Sequence, residues 1–454
     1  MIRALLIFLM ISLALGGCAG PKRLPPVGSE PIPESKPRPG VPLLIGVGLL
    51  EEAPRIEVRA TGPCLVLDGD TGRRLSRWTD AMDPVLCIRE GNSVNWRCGG
   101  EVGTAPSVVL QPVDPETLVG HDESEYRGEF LVLPAPRGGG LTLVNNVELE
   151  SYLQGVVPWE IGRHDRSRLA ALKAQAVAAR TYTVAHLGIR RSHGFDVYAS
   201  VMDQVYRGAA GEDALCNEAV RQTAGLVLRS GGEEIGAFYS ACCGGVSSQV
   251  EEVWARDARP YLVSRADRVG GRGKAFCADS RYFNWRETWS PDRLEEILGE
   301  TLPAYLDYVG EGGRGQWAGQ SFAPRSGNSD PRGPGRLRDL EILERTTSGR
   351  VARLAVETDA GTYYVRGDRT RWVLRPAGGN PAILRSALFE VELVHRDGQL
   401  AEISIRGKGY GHGIGLCQTG ALEMARQGFT FRAILSHYYQ GALLTDITGS
   451  TDDD

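Results

Sequence analysis

The chain has 454 residues, a formal net charge of −5, and a composition of 42% hydrophobic and 24% charged residues. This length can bury one large hydrophobic core or two modest ones, and the slightly acidic balance excludes nucleic acid as an expected partner. The 58 glycines indicate a fold rich in loops and tight turns.

The first 17 residues have the pattern of an export signal. A positive charge at Arg3 precedes an apolar run of 12 residues, Ala4–Leu15, which is too short to span a membrane. The sequence LGGC at 15–18 then resembles a bacterial lipobox, in which the peptide is cut before the cysteine and the thiol is acylated. We therefore expect an exported lipoprotein, anchored through Cys18 to the outer membrane or the plasma membrane. The alternative is a secretory signal that happens to contain a cysteine.

The chain after the signal divides into a tether, two folded parts and a tail. Residues 18–42 are rich in proline, which predicts an extended tether. Short apolar runs alternate with turn signals from 43 to 133, which predicts a β-rich N-terminal part. The stretch 134–447 mixes strand-like and helical patterns and is predicted to be a second domain. An acidic tail, 448–454, follows.

Within the second domain, residues 310–336 lack periodicity and are predicted to be a flexible insertion. The predicted fold class is α+β. It has mainly antiparallel sheets and a few packed helices, preceded by the short β-rich region.

Helices are predicted from apolar spacing and capping residues. An Ala-rich helix is expected to begin near Asp165 or Ser167, both good N-caps. Two more helices, Thr419–Arg426 and Phe431–Tyr439, are expected near the C-terminus, the second capped by Thr430.

A single carboxylate, Glu160, lies among the apolar residues Val157, Trp159 and Ile161, just ahead of the Ala-rich helix. Loss of hydration in such surroundings raises the pKa of an acid and prepares a general acid at neutral pH. The expected helix start acts in the opposite direction, because the positive end of a helix dipole favours a carboxylate. We predict that the apolar effect prevails and that Glu160 is catalytic. The alternative is a carboxylate that only complements the helix dipole.

Glycine occupies every second position of the segment 409–415, GYGHGIG. On an extended segment alternate residues face the same side, so Tyr410, His412 and Ile414 would project together, opposite a bare glycine face. His412 would then be placed to donate a hydrogen bond or a proton to a substrate oxygen. The alternative is a tight packing crossover with a structural histidine.

Polar and aromatic residues precede a glycine in the segment 202–208, MDQVYRG. Side chains such as Gln204 and Tyr206 are suited to line a sugar-binding groove. The same pattern fits an ordinary surface loop, and the local sequence leaves both interpretations open.

Of nine cysteines, eight remain once Cys18 is set aside, an even number compatible with disulfides in an oxidising compartment. Cys242 and Cys243 lie in a Cys-Cys-Gly-Gly run, and Cys277 follows 34 residues after Cys243. A histidine at ligand spacing is lacking there, so a disulfide is favoured over zinc. Cys243 with Cys277 is the first pairing to consider, because adjacent cysteines rarely bond each other.

Together these motifs resemble the stage II sporulation protein D (SpoIID/LytB) family. The resemblance spans about residues 43–446 and is carried by VNNVELESYLQGVVPWE, LKAQAVAARTYTV, DQVYRG, FYSACCGG, EEVW, RWVLR and GYGHGIGLCQTGALEMARQG. It implies a peptidoglycan lytic transglycosylase, which cleaves the MurNAc–GlcNAc bond of glycan strands stripped of stem peptides. The catalytic glutamate of the family corresponds to Glu160. The substrate-binding candidates are Gln204, Tyr206, Tyr410, His412 and Gln418.

Such an enzyme needs only one carboxyl, because the sugar's own C6 hydroxyl attacks C1 and leaves a 1,6-anhydro product. The resemblance also admits a non-catalytic, peptidoglycan-binding enhancer of an N-acetylmuramoyl-L-alanine amidase. A third hypothesis, a thiol- or zinc-dependent wall hydrolase, would use Cys242, Cys243 or Cys277. Sporulation, division and growth are all compatible occasions.

The resemblance also bears on cofactors. Family members often carry histidines beside the Cys-Gly-Gly element, some of which bind zinc. This chain has Ser240 and Val246 there, and it has Cys417 where the family usually has serine. We therefore expect no cofactor, and zinc is the disfavoured alternative.

Overall fold

The structure is a computed structural model that describes residues 43–78, 83–254, 256–271, 273–312, 321–324, 332–380 and 382–447. The predicted signal peptide, Cys18, the tether and the acidic tail lie outside the described residues. So do 313–320 and 325–331, which make up most of the predicted insertion.

Short strands build the N-terminal part, as the alternation of apolar and turn residues predicts. They are β1 Leu44–Ala53, β2 Arg55–Ala60, β3 Cys64–Asp68, β4 Arg74–Trp78, β5 Val85–Glu90, β6 Ser93–Cys98, β7 Glu101–Ala105, β8 Val108–Pro112, β9 Val119–His121, β10 Ser124–Tyr126, β11 Glu129–Pro134 and β12 Leu141–Glu148. Burial alternates along β3, because successive side chains of a strand face opposite sides. A turn links β3 to β4, where Asp68 O accepts from Gly72 N over 2.8 Å.

Two sheets organise these strands. One has the order β13-β1-β12-β11-β8-β3-β4, in which β13 is Val197–Tyr198, and the other has the order β10-β9-β2-β5-β6-β7. Apart from β13, which runs parallel to β1, the pairings are antiparallel. Since β11 and β12 are paired, the predicted boundary after residue 133 falls inside one continuous sheet.

Helices pack beside this sheet and share its hydrophobic core. The elements are α1 Leu149–Glu160, α2 Leu169–His186, α3 Ala214–Gln222, β14 Leu226–Ser230, β15 Glu233–Glu234, β16 Tyr239–Ser240 and α4 Val250–Val253. Most of α2 is buried, and its alanines allow close packing. Asp165 caps a 3-10 turn that leads into α2, since its carboxylate accepts from Ser167 N over 2.8 Å. The predicted helix start near Asp165 is confirmed.

The segment 284–408 builds a second hydrophobic core around residues such as Trp289, Leu354 and Ile405. Its strands form two antiparallel sheets in the orders β17-β23-β22 and β18-β21-β20-β19. The elements are β17 Asn284–Trp289, α5 Pro291–Gly312, β18 Phe322–Pro324, β19 Leu337–Arg345, β20 Val351–Thr358, β21 Gly361–Arg366, α6 Thr370–Val373, β22 Phe389–Arg396 and β23 Gln399–Lys408. The sequence alone does not distinguish this core, because apolar periodicity indicates which residues are buried and not which elements pack together.

The chain then returns to the first core. The last elements are β24 Leu416–Cys417, α7 Gln418–Arg426, α8 Phe431–Tyr438 and β25 Leu443–Asp446. Both predicted C-terminal helices are confirmed, and Thr430 Oγ1 accepts from Ala433 N over 3.2 Å at the start of α8. The α+β class with mainly antiparallel sheets is confirmed. In the part of the chain that the structure describes, no helix is long and apolar enough to cross a bilayer.

Candidate active site around Glu160

Glu160 is the last residue of α1, a helix that was not predicted from the sequence. Glu160 still precedes the confirmed helix start near Asp165, but the helix end next to it is the C-terminus of α1 and not the N-terminus of the Ala-rich helix. Apolar residues at helical spacing, from Leu149 to Val157, form the buried face of α1, but Pro158 and the paired valines argue against a helix. The dipole of α1 places its negative end at Glu160, so it opposes ionisation instead of favouring it.

The Glu160 carboxyl is largely desolvated, although the residue as a whole is only half-buried. Burial raises its pKa to about 7. Two hydrogen bonds act in the opposite direction, one from Val205 N to Oε1 over 2.7 Å and one from the Gln418 side chain. A carboxyl with this pKa is present in both protonation states at neutral pH, as an acid that later acts as a base requires.

Gln204 lies behind the site and has no exposed surface. Its Nε2 donates to Thr183 Oγ1 over 2.7 Å and to Tyr152 Oη over 3.2 Å, while its Oε1 accepts from Tyr239 Oη over 2.8 Å. The amide is thus fully engaged within the protein. Gln204 holds the neighbouring Val205 in place, and in this structure it does not line a groove.

Tyr206 is also buried, with 2% of its surface exposed. Its hydroxyl donates to Asn145 Oδ1 over 2.9 Å, and its ring packs on Gly155 of α1, where an added Cβ would lie 2.6 Å from the ring. Gln204 and Tyr206 are therefore buried and do not line a groove, whereas Met202 and Arg207 of the same segment are exposed. The segment packs against α1 and carries the Val205 N–H to Glu160.

The apolar wall predicted around Glu160 is only partly correct. Val157 and Ile161 are buried, but Trp159 is 48% exposed. The guanidinium groups of Arg163 and Arg207, both exposed, lie 5.8 and 5.9 Å from the Trp159 ring centre. An exposed aromatic ring flanked by two cations lies next to the carboxyl in the chain. Neither arginine belongs to a pattern that sequence reasoning could have recognised.

The segment 409–415 is not a regular strand with a bare face. All four glycines have positive φ, between 69° and 108°, and only Tyr410 and Ile414 form isolated bridges there. Each glycine closely approaches the chain around 238–244 or Arg350; a Cβ on Gly415, for example, would lie 2.0 Å from Phe238 O. The segment is a tight packing crossover, which is the alternative that the sequence left open.

His412 is held by this crossover. Its Nδ1 accepts from Ile414 N over 3.0 Å, the backbone of Tyr239 hydrogen-bonds the ring, and Trp254 packs with a ring distance of 4.8 Å. Burial lowers the pKa of His412 to about 4, so the ring is neutral at pH 7. These contacts fit a structural histidine better than the predicted proton donor.

The other two predicted substrate contacts lie nearby. Tyr410 is half-buried, packs on Tyr282 at a ring distance of 4.9 Å, and exchanges backbone hydrogen bonds with Cys242. Gln418 begins α7, is 6% exposed, and donates from Nε2 to Gln175 Oε1 over 3.3 Å besides contacting Glu160. Of the predicted set, Gln418 is the side chain that lowers the pKa of the Glu160 carboxyl.

The predicted partners Cys243 and Cys277 are brought together, with their sulfurs 3.6 Å apart and unbonded. Two residues that the prediction did not include, Asp267 and Cys417, join them. Cys417, the family's usual serine position, lies immediately before Gln418.

The fold and the site define an α+β protein with a half-buried glutamate of raised pKa that follows an exposed tryptophan in the chain. A family model described as stage II sporulation protein (SpoIID) matches residues 137–229, which include that carboxyl. A second, described as a domain of unknown function (DUF8618), matches residues 320–415, which lie largely in the second core.

Curated relatives agree with the first of these matches. The stage II sporulation protein D of Bacillus amyloliquefaciens is 30% identical over 67% of this chain and 76% of its own length. An uncharacterized protein of Brachyspira hyodysenteriae is 28% identical over 82% of this chain and 84% of its own length. The amidase enhancer of Bacillus subtilis is 30% identical over 64% of this chain, which spans only 40% of that relative. The chain belongs to the SpoIID/LytB family.

Proposed function

We propose that this chain is a lytic transglycosylase that cleaves the MurNAc–GlcNAc bond of peptidoglycan glycan strands free of stem peptides. Glu160 is its single general acid and base. The observation that carries the proposal is the pKa of this carboxyl, which burial raises to about 7 in a residue that is only half-buried.

The reaction has two proton transfers at one group. Protonated Glu160 first gives its proton to the glycosidic oxygen as the bond from that oxygen to C1 of MurNAc breaks. The resulting carboxylate, held by the Val205 N–H, then takes the proton of the C6 hydroxyl as O6 bonds to C1. The product carries a 1,6-anhydro ring and Glu160 is again protonated, so the step requires neither a second carboxyl nor a cofactor. Acid–base catalysis of this kind contributes about 10²–10⁴-fold.

The exposed tryptophan that precedes Glu160 in the chain, with the two arginines around its ring, suits a peptide-free strand. Trp159 offers an exposed ring on which a sugar can stack. Removal of the stem peptide leaves a free lactyl carboxylate on MurNAc, and Arg163 and Arg207 beside the ring are suited to bind such an anion.

The proposal is tested by incubating the chain and its Glu160→Gln variant with peptide-free glycan strands. Glutamine keeps an acceptor for Val205 N–H but cannot transfer the proton. We expect anhydro-ended fragments by mass spectrometry from the wild type, and a rate at least about 10²-fold lower from the variant. The control is Glu148→Gln, an exposed position at the other end of α1, which should leave the rate unchanged.

A second function is favoured by one of the relatives, which is named an amidase enhancer. In that case the chain binds glycan strands and stimulates a cell-wall amidase without cutting the strand itself. Binding without anhydro products from either wild type or Glu160→Gln, together with faster amidase turnover in its presence, would identify this role.

Location is part of the proposal. The lipobox-like segment before Cys18 supports a lipid anchor at the cell envelope, which would hold the site next to the wall. Mass spectrometry of the N-terminal peptide from cells tests this, because acylation adds a diacylglyceryl group to the Cys18 thiol.

A further inference from the structure

Three thiols and one carboxyl meet in the interior behind the Glu160 site. Cys243, Cys277, Cys417 and Asp267, here called the thiol cluster, are each at most 1% exposed. One ligand atom from each lies within 4.8 Å of the corresponding atoms of the other three. We propose that the thiol cluster is a structural zinc site with three sulfur ligands and one oxygen ligand.

The spacing of the sulfurs suits a shared metal ion. A Zn–S bond of about 2.3 Å places two sulfurs of a tetrahedral site about 3.8 Å apart. The sulfurs of Cys243 and Cys277 are 3.6 Å apart, close to this edge length and well beyond the bond of about 2.05 Å in a disulfide. Sulfur with one carboxylate oxygen is a donor set that zinc accepts.

Hydrogen bonds from neighbouring groups orient the side chains of the thiol cluster, as is usual for metal ligands. Asp267 Oδ1 accepts from Tyr438 Oη over 2.7 Å, and Oδ2 accepts from Cys277 N over 3.2 Å. The Cys243 N–H points at Cys417 Sγ over 3.2 Å. Such bonds fix the direction of a ligand and stabilise its anionic form, which is the form that binds a metal.

The charge of the cluster also favours a cation. Two basic side chains lie near the cluster, but neither is bonded to a sulfur. Arg350 donates over 2.7 Å to the backbone carbonyl of Cys243, and His437 Nε2 lies 3.9 Å from Asp267 Oδ1. Burial of a carboxylate beside thiolates is costly without a compensating charge, and a divalent ion offsets two of their four negative charges.

The site would connect three segments that are distant in the sequence. Cys243 follows β16, Asp267 and Cys277 lie between α4 and β17, and Cys417 ends β24 directly before Gln418 of α7. Four protein ligands leave no open position, so the ion is structural and does not act on substrate. By fixing Cys417, the bound ion would hold the next residue, Gln418, whose side chain lowers the pKa of Glu160. Metal content does not depend on what Glu160 does, so this inference can fail or hold independently of the proposed reaction.

One nearby thiol must be distinguished from the four ligands. Cys242 also faces Cys277 and Cys417, so it presents an additional sulfur to the same region. With it, two disulfides become an alternative to the metal site. A test must therefore measure metal, thiols and disulfides in the same sample.

The experiment uses the full chain, purified with a non-thiol reductant and then analysed for metal by inductively coupled plasma mass spectrometry. We expect about one zinc per chain, and more than tenfold less in Cys277→Ser and in Asp267→Asn. Cys242→Ser should retain the metal. So should Cys216→Ser, the matched control, because Cys216 is a buried thiol that contacts Gly162 O away from the cluster.

A measurement on the wild type avoids variants that fold poorly. The metal-free, reduced chain is titrated with Co²⁺, and tetrahedral thiolate ligation should give sulfur-to-cobalt charge-transfer bands that Zn²⁺ then abolishes. A metal-free chain that shows no such bands, or peptide mapping that finds Cys243 bonded to Cys277 in the protein from the envelope, would overturn the proposal. Zinc retained in Cys277→Ser, or lost in Cys242→Ser, would overturn the donor set.

Discussion

The backbone N–H of Val205 donates a hydrogen bond of 2.7 Å to Oε1 of Glu160, across 45 residues of sequence. The buried residues on either side of Val205 make this contact possible. Gln204 is anchored to α2 and to Tyr239, and Tyr206 is anchored to Asn145 and packs on α1. Gln204 and Tyr206, which the sequence suggested as sugar-binding residues, therefore affect Glu160 indirectly, because they position the backbone N–H of Val205.

The raised pKa of Glu160 predicts the pH dependence of strand cleavage. The free enzyme must begin with this carboxyl protonated, and the protonated fraction falls above its pKa of about 7. We expect kcat/KM to be level at lower pH and to fall about tenfold per pH unit above 7. Cleavage rates on peptide-free strands between pH 5 and 9 measure this. A decline that begins near the ordinary value of 4.5 would show that burial does not control the site.

Replacement of Gln418 should shift the pH at which kcat/KM begins to fall. The Gln418 side chain hydrogen-bonds the Glu160 carboxylate and favours the charged form, so its loss in Gln418→Met should raise the pKa of Glu160 further. We expect the fall in kcat/KM to begin at a pH higher by up to about one unit. The loss of one hydrogen bond to the carboxylate accounts for such a shift, since one pKa unit corresponds to about 1.4 kcal/mol. Gln427→Met, at the other end of α7, is the control. A shift to lower pH would contradict the assigned contact.

Trp159 is expected to bind substrate through the exposed part of its ring. It is 48% exposed, so Trp159→Ala also removes the packing of the buried half, and the effect on binding is measured on the folded variant against a tryptophan of similar exposure. Loss of about 50 Å² of apolar contact with a sugar, at ~25 cal/mol/Å², weakens binding by about 1 kcal/mol, or roughly five- to tenfold. The effect should be in KM. Trp372→Ala, at a tryptophan 44% exposed in the second core region, should leave KM unchanged. An unaltered KM in Trp159→Ala would place the strand elsewhere.

The crossover at 409–415 predicts a difference between two glycines of similar φ. Gly415 and Gly441 have φ of +69° and +71°, but an added Cβ at Gly415 would lie 2.0 Å from Phe238 O, whereas at Gly441 nothing lies within 4 Å. The left-handed conformation alone costs an alanine roughly 1–2 kcal/mol. We expect Gly441→Ala to cost about that much, and Gly415→Ala to cost at least about 2 kcal/mol more, because the backbone must shift.

Denaturant unfolding of the two glycine variants measures this difference. If Gly415→Ala and Gly441→Ala lower the free energy of unfolding equally, the positive φ alone accounts for the cost and the close approach to Phe238 does not contribute.

Sequence reasoning worked where local signals agree. The helix start at Asp165 and the cap at Thr430 have side chains that satisfy free N–H groups, and these caps act within three residues. It failed at α1, where Pro158 and neighbouring valines outweighed a helical apolar face. At 409–415 the glycine alternation left a bare-faced strand and a packing crossover both open, and the positive φ of every glycine decides for the crossover.

The sequence by itself determined the family, the fold class and the glutamate to examine, because each rests on the identity and order of nearby residues. Only the tertiary structure decided which end of a helix carries Glu160, which groups hydrogen-bond it, and which thiols share a site. Those properties depend on contacts such as that between Cys243 and Cys417, 174 residues apart, and local pattern carries no information about which distant segments pack together.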